Sequence, residues 1–198
     1  MKRIDFSKIK AIAFDFWGVL AEMDAPMYKF MKKNNISLKK HSKEIRKIIA
    51  KHDLDKITEK QFLQKCSKII GLEVPYPKYR YTYKKTALNK NLINITKKLK
   101  KRYKIALLTN NNKEYCAEYL FKPQLDKLFD IMVISYVVGY RKPFPQIYKI
   151  LIKKLKLKPE EILFLDDDPI KLLAAETLGI KTLLYRGKKT NKILSSLL

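Results

Sequence analysis

The sequence predicts an α/β fold: a doubly wound parallel sheet with helices on both faces, plus a small all-helical insert. Three observations predict it. Short apolar runs recur without polar alternation inside them, as strands buried on both faces read. Helical patterns separate those runs from about residue 88 onward. Between the first and second runs lies a long stretch with helical periodicity and no buried strand.

The first strand spans residues 12–14 and stops at Asp15, with a turn at Gly18 behind it. Residues 21–85 break the strand–helix alternation and read as helices at 26–33, at 42–51 and from Thr58 onward. Thr58 and Gln61 have capping-box spacing, Phe62, Cys66, Ile69 and Ile70 continue an apolar stripe, and Gly71 ends the helix. Residues 74–83, rich in proline and tyrosine, read as irregular connection or insert surface. The remaining strands are expected at 105–108, 131–134, 162–165 and 182–185. Helices are expected at 88–101, 113–121, 146–155 and 170–178. Residues 1–20 and 86–198 therefore form the core and residues 21–85 the helical insert, which would sit over the strand ends.

A chain of 198 residues, 46% hydrophobic, suffices for one packed core and a small module. No apolar run approaches the ~20 residues of a membrane-spanning helix, and residues 1–5 lack a signal peptide's apolar centre. A cytoplasmic protein without a membrane partner is expected. Cys66 and Cys116 show no metal or redox spacing and read as reduced, structural thiols. The net charge of +25 comes mostly from lysines scattered over every predicted helix. It suits an enzyme that collects small anionic substrates. Nonspecific nucleic-acid binding at low salt is less favoured, because no arginine-rich or aromatic-interleaved basic tract exists. Nothing in the sequence sets the oligomeric state.

Chemistry gathers where strands end. Asp15 follows the first strand, Thr109 and Asn110 the second, Arg141-Lys142-Pro143 comes after the third, and Asp166-Asp167 closes the fourth. Parallel topology brings these positions to one sheet edge, where ligands of such folds bind. Singly, each has a plain structural use: Asp15 or Thr109 in a turn or cap, Lys142 in solvent, the aspartate pair at a helix start. Jointly they form a phosphate-ester site. A carboxylate attacking a phosphate dianion needs a divalent cation, a lysine and neutral donors to take up charge. Asp15 and Asp167 offer hard oxygen ligands suited to Mg²⁺, Thr109 and Asn110 offer donors to phosphate oxygens, and Lys142 balances charge.

With these motifs in order, the chain resembles the haloacid dehalogenase (HAD) superfamily of hydrolases, in its phosphatase-like branch. The motifs are Phe14-Asp15-Phe16-Trp17-Gly18-Val19-Leu20, then Leu107-Leu108-Thr109-Asn110, then Tyr140-Arg141-Lys142-Pro143, then Phe164-Leu165-Asp166-Asp167. The resemblance implies a Rossmann-like core and a helical cap formed by the insert. It implies Asp15 as nucleophile and Mg²⁺ ligand, the backbone carbonyl of Trp17 and the carboxylate of Asp167 as further ligands, and Asp166 as support behind them. Thr109, Asn110 and Lys142 then hold the phosphate, and Thr109 and Lys142 assist Asp15 in catalysis. The implied activity is Mg²⁺-dependent hydrolysis of a small phosphorylated metabolite through an aspartyl-phosphate intermediate at Asp15.

The chain departs from the family pattern in two respects. Trp17 stands where relatives place the aspartate that protonates the leaving group, and an indole cannot do so. Ile170 and Lys171 stand where many relatives carry a further aspartate or asparagine. Metal-independent 2-haloacid dehalogenases are an alternative, since halide leaves without a proton and they carry an aromatic residue at the position of Trp17. A noncatalytic phosphate-binding or regulatory protein is another. The adjacent carboxylates favour the phosphatase, because a metal-free dehalogenase has no use for them.

Overall fold

The computed structural model describes residues 4–22, 26–76 and 87–198. Most of the proline- and tyrosine-rich stretch, including Tyr79, Tyr81 and Tyr83, lies outside them, as does the expected boundary of the insert near residue 85. The sheet has five parallel strands in the order β3-β2-β1-β4-β5. These are β1 (Ala11–Phe14), β2 (Lys104–Thr109), β3 (Ile131–Ile134), β4 (Ile162–Asp166) and β5 (Lys181–Leu184). The order reverses between β1 and β4, and that crevice is where doubly wound sheets bind ligands.

The central strands are buried throughout their length, as their uninterrupted apolar runs require. Side chains of successive residues enter opposite cores. Ile12 and Phe14 join Ile105, Leu107, Leu163 and Leu165 on one face, under α4 (Lys90–Leu99) and the last helix of the chain, Lys188–Ser195. Ala11 and Ala13 join Ala106, Leu108 and Phe164 on the other, where the small alanines admit Tyr148 and Leu151 of Pro145–Leu155 and Leu172 of Pro169–Glu176. Proline opens both of the latter helices at a position whose N–H would be unpaired in any case.

The insert contains α1 (Pro26–Lys33), α2 (Leu38–His52) and α3 (Glu59–Ile70). They have their own small core, in which Met27, Met31, Ile45, Phe62, Leu63 and Cys66 are buried. The Thr58–Gln61 capping box forms with both of its hydrogen bonds, and Gly71 ends α3 in the left-handed conformation. α2 starts ahead of the expected Ser42, because the Ser37 hydroxyl accepts from the Lys40 N–H and caps an earlier first turn. Beyond Asn112 the chain makes α5 (Lys113–Cys116), which widens into a π turn over Ala117–Phe121. The short helix α6 (Ser135–Val138) and the last helix were not apparent in the sequence. In chain order Pro145–Leu155 is α7, Pro169–Glu176 is α8 and Lys188–Ser195 is α9. No helix among the described residues is long and apolar enough to cross a membrane.

Candidate active site

Asp15 is the first residue past β1 and is 2% exposed. Its Oδ1 accepts from the Phe16 N–H at 2.7 Å and lies 2.9 Å from Lys142 Nζ. Burial pushes the Asp15 carboxyl above the usual range and neighbouring Asp166 adds to the rise, while Lys142 and Lys171 oppose it. Lys142 is itself 1% exposed and reaches Asp166 Oδ2 at 2.6 Å, with its ammonium 5.1 Å from the Phe164 ring centroid. A lysine so buried stays only because two carboxylates flank it; removing one partner of such a cluster costs about 3–5 kcal/mol.

Neither Asp166 nor Asp167 caps the helix behind them, although Asp166 Oδ1 accepts from the Asp168 N–H at 2.9 Å and braces that turn. The N-cap of α8 is Asp168, whose Oδ1 accepts from the Ile170 N–H at 2.9 Å. Ligand atoms of Asp15, Asp166 and Asp167 all lie within 4.8 Å of one another, and burial raises the Asp167 carboxyl too, with Lys171 opposing it. Asp167 Oδ1 is buried and has no hydrogen-bond partner among the described residues. Gly18 makes room for this carboxylate: a Cβ there would sit 2.3 Å from Asp167 Oδ2, at a φ of +78° that disfavours side chains in any case. Three convergent carboxylates, one with an unclaimed oxygen, fit a hard divalent cation such as Mg²⁺.

Thr109 ends β2 and is fully buried, with a hydroxyl that has no partner among the described residues. An orphaned buried hydroxyl costs roughly 1–3 kcal/mol, so a ligand oxygen is its natural complement. Leu107 pairs with Phe14 in the register, so Thr109 sits one strand from Asp15 and at nearly the same level. Asn110 was expected to donate to phosphate; in the structure both ends of its side-chain amide are engaged by Lys142. Nδ2 donates to the Lys142 carbonyl at 2.9 Å and Oδ1 accepts from its N–H at 2.7 Å. Asn110 thus fixes the lysine's backbone, and one amide hydrogen is left for a ligand.

The Trp17 indole is half-buried in an aromatic cluster. It meets the rings of Phe16, Tyr119 and Tyr115 edge-on, with centroids 4.9, 5.2 and 6.4 Å away. Tyr115 in turn contacts His52 of α2, whose ring stacks on Phe62 at 4.5 Å.

Sequence reasoning passed over several residues that crowd this edge. Lys171, treated as a mere departure from pattern, has its Nζ 3.4 Å from Asp15 Oδ2 and 3.4 Å from Asp166 Oδ1. Burial works against its charge, yet Asp15 foremost, then Asp166, Asp167 and Asp168, hold its proton more tightly than usual. One signal was available: Lys171 stands one helical turn past Asp167 in the first turn of α8, on a face that returns toward the strand ends. The end of α2 was also missed. Asp53 Oδ2 accepts from Arg141 at 2.8 Å, and the Ser135 hydroxyl donates to the Asp53 carbonyl.

A Rossmann-like sheet with an acid and lysine cluster at its crevice defines a hydrolase core. The chain belongs to the haloacid dehalogenase-like hydrolases, whose family model matches residues 9–179. It is similar to the D-ribitol-5-phosphate phosphatase of Bacteroides thetaiotaomicron, with 25% identity over 192 residues that cover 88% of this chain and 90% of the relative. It is also 38% identical over 95 residues to bifunctional epoxide hydrolase 2 of Sus scrofa, a match covering 46% of this chain and 17% of that protein. The chain thus spans under a fifth of the length of that relative. Among solved structures, a HAD family enzyme of Bacteroides thetaiotaomicron aligns with a TM-score of 0.77 and 23% identity, over 93% of this chain and 98% of the other. Its complex with magnesium and inorganic phosphate aligns with a TM-score of 0.68 and 22% identity, over 91% and 96%. An L-2-haloacid dehalogenase aligns with a TM-score of 0.64 and 20% identity, over 89% and 84%. At these identities the structures share the fold.

Proposed function

We propose that this chain is a Mg²⁺-dependent phosphatase acting on a small phosphorylated metabolite through an aspartyl-phosphate at Asp15. The observation that carries the reading is the convergence of Asp15, Asp166 and the half-buried Asp167, with Lys142 clamping the first two. Asp15, Asp167 and the Trp17 carbonyl would hold the metal, which supplies positive charge against the dianion. The phosphatases and the magnesium–phosphate complex among the similar proteins support the same reading.

The chain's own groups define the remaining steps. An Asp15 carboxylate oxygen forms the new P–O bond as the ester oxygen departs, and water then cleaves the acyl phosphate to restore Asp15. Lys142 keeps Asp15 ionised for the attack and faces the charge that develops on the phosphoryl group. Thr109 and the remaining Asn110 hydrogen donate to phosphoryl oxygens. Trp17 gives the departing oxygen no proton, a loss worth a factor of ~10²–10⁴ for leaving groups that need one. Substrates with good leaving groups, acyl or aryl phosphates, are therefore turned over best. The helical insert closes the site as a cap and selects the substrate.

The purified protein with Mg²⁺ should hydrolyse an activated aryl phosphate, and Asp15→Asn should reduce the rate at least ~10³-fold. Phosphate release that persists in chelator, or halide release from a 2-haloacid in chelator, would overturn the reading.

A further inference from the structure

Lys171 places a second fixed cation among the carboxylates, and its effects on a metal and on a phosphate are opposite in sign. Asp15, Asp166 and Asp167 carry three negative charges within one ligand cluster, and Lys142 and Lys171 return two positive ones. Lys142 and Lys171 divide the oxygens between them. Lys142 takes Asp15 Oδ1 and Asp166 Oδ2, while Lys171 lies 3.4 Å from Asp15 Oδ2 and 3.4 Å from Asp166 Oδ1. Lys171 therefore stands beside the Asp15 oxygen that Lys142 leaves open. Its side chain is 18% exposed, and its backbone is anchored where the Tyr148 hydroxyl donates to the Lys171 carbonyl at 2.8 Å.

Resting on the phosphatase reading above, we propose that Lys171 trades metal affinity for phosphate affinity: it weakens divalent-cation binding at Asp15 and Asp167 and strengthens binding of the phosphate dianion once the cation is present. With both lysines, the cluster plus a divalent cation sums to one net positive charge; without Lys171 it sums to zero. The dianion then meets an attractive site in the first case and a neutral one in the second. At the few ångströms involved, in a partly solvated site, one unit charge is worth at least about a tenfold change in each equilibrium. A lysine that only packed at the start of α8, with no charge acting on the cluster, would shift neither binding step in this opposed manner.

Trp17 is the chain's only tryptophan and lies two residues from Asp15, so its fluorescence reports binding without turnover. Wild type, Lys171→Gln, Lys171→Met and Lys171→Arg would be titrated with Mg²⁺ alone, then with inorganic phosphate at saturating Mg²⁺, and both steps repeated by calorimetry. The neutral variants should bind Mg²⁺ at least about tenfold more tightly and phosphate at least about tenfold more weakly, with Arg close to wild type. Two neutral variants guard against one that fails to fold. Equal midpoints, or both shifts in the same direction, would overturn the role of Lys171 while leaving the phosphatase reading intact. No Mg²⁺ response in wild type or in either neutral variant would instead overturn the metal-dependent reading itself.

Discussion

At the residue scale, the motif around Asp15 separates two functions that one loop usually combines. Gly18 carries the geometric part, because only a residue without Cβ leaves the Asp167 carboxylate where it is. Trp17 carries no proton-transfer chemistry; its ring is taken up by Phe16, Tyr115 and Tyr119. A Trp17→Asp variant should therefore gain and lose at once. Hydrolysis of alkyl phosphates, whose leaving groups need a proton, should rise by up to ~10² relative to wild type, and aryl phosphate hydrolysis should change little. Loss of a half-buried indole from an aromatic cluster should lower stability by about 1–3 kcal/mol. The rate ratio for the two leaving groups, measured beside a melting curve well below its midpoint, checks this. An unchanged ratio would show that some other group already protonates the leaving oxygen.

At the element scale, the end of α2 clasps the insert to the core loops through His52 and Asp53. The Asn112 amide has a fixed orientation, since its Oδ1 accepts from the Tyr115 N–H at 2.9 Å. Its Nδ2 thus faces His52 Nε2 at 2.8 Å as the donor, and His52 accepts as the neutral ring protonated at Nδ1. Burial lowers the His52 pKa from 6.5 to about 4. In the unfolded chain His52 takes a proton near its ordinary value, and the folded chain refuses one until far lower pH. Folding stability is therefore intact above pH ~6.5, falls as the pH drops, and has lost its full share by about pH 4, with a loss of about 2 kcal/mol at pH 5. Denaturant unfolding at pH 7.5 and 5 should show this steeper decline in wild type than in His52→Gln, whose amide oxygen can accept the same hydrogen bond. Parallel declines would exclude His52 as the titrating group. The clasp could not be read from the sequence because its members, His52, Asp53, Asn112, Ser135 and Arg141, are scattered and follow no periodicity. The strands, the Thr58 box and the carboxylates at strand ends were legible for the converse reason, since each is written in adjacent residues. The four-residue helix Ser135–Val138 is too short to show a period. Lys171 was hidden by composition: among 44 lysines and arginines, its spacing of one helical turn from Asp167 is a faint signal until α8 turns it toward Asp15.

At the scale of the whole molecule, the active site and the surface carry charge of opposite sign. Within the acid cluster, Asp15, Asp166 and Asp167 outnumber Lys142 and Lys171, so before a metal enters the site does not itself attract a dianion. The chain as a whole carries +25, spread over many exposed lysines. Such a surface raises the local concentration of small anions and speeds their encounter with the site, over a range set by the Debye length, about 30 Å at 0.01 M salt and 3 Å at 1 M. Buried pairs such as Lys142–Asp166 are screened far less, so the chemical step should be nearly indifferent to salt. Raising KCl from 0.01 to 0.5 M at saturating Mg²⁺ should therefore lower kcat/KM for an anionic phosphate ester by roughly tenfold and leave kcat within about twofold. Initial rates across that salt series check this division. A kcat/KM that stays flat would assign the surface lysines to solvation alone, and a kcat that fell in step with it would place salt-sensitive charge inside the site.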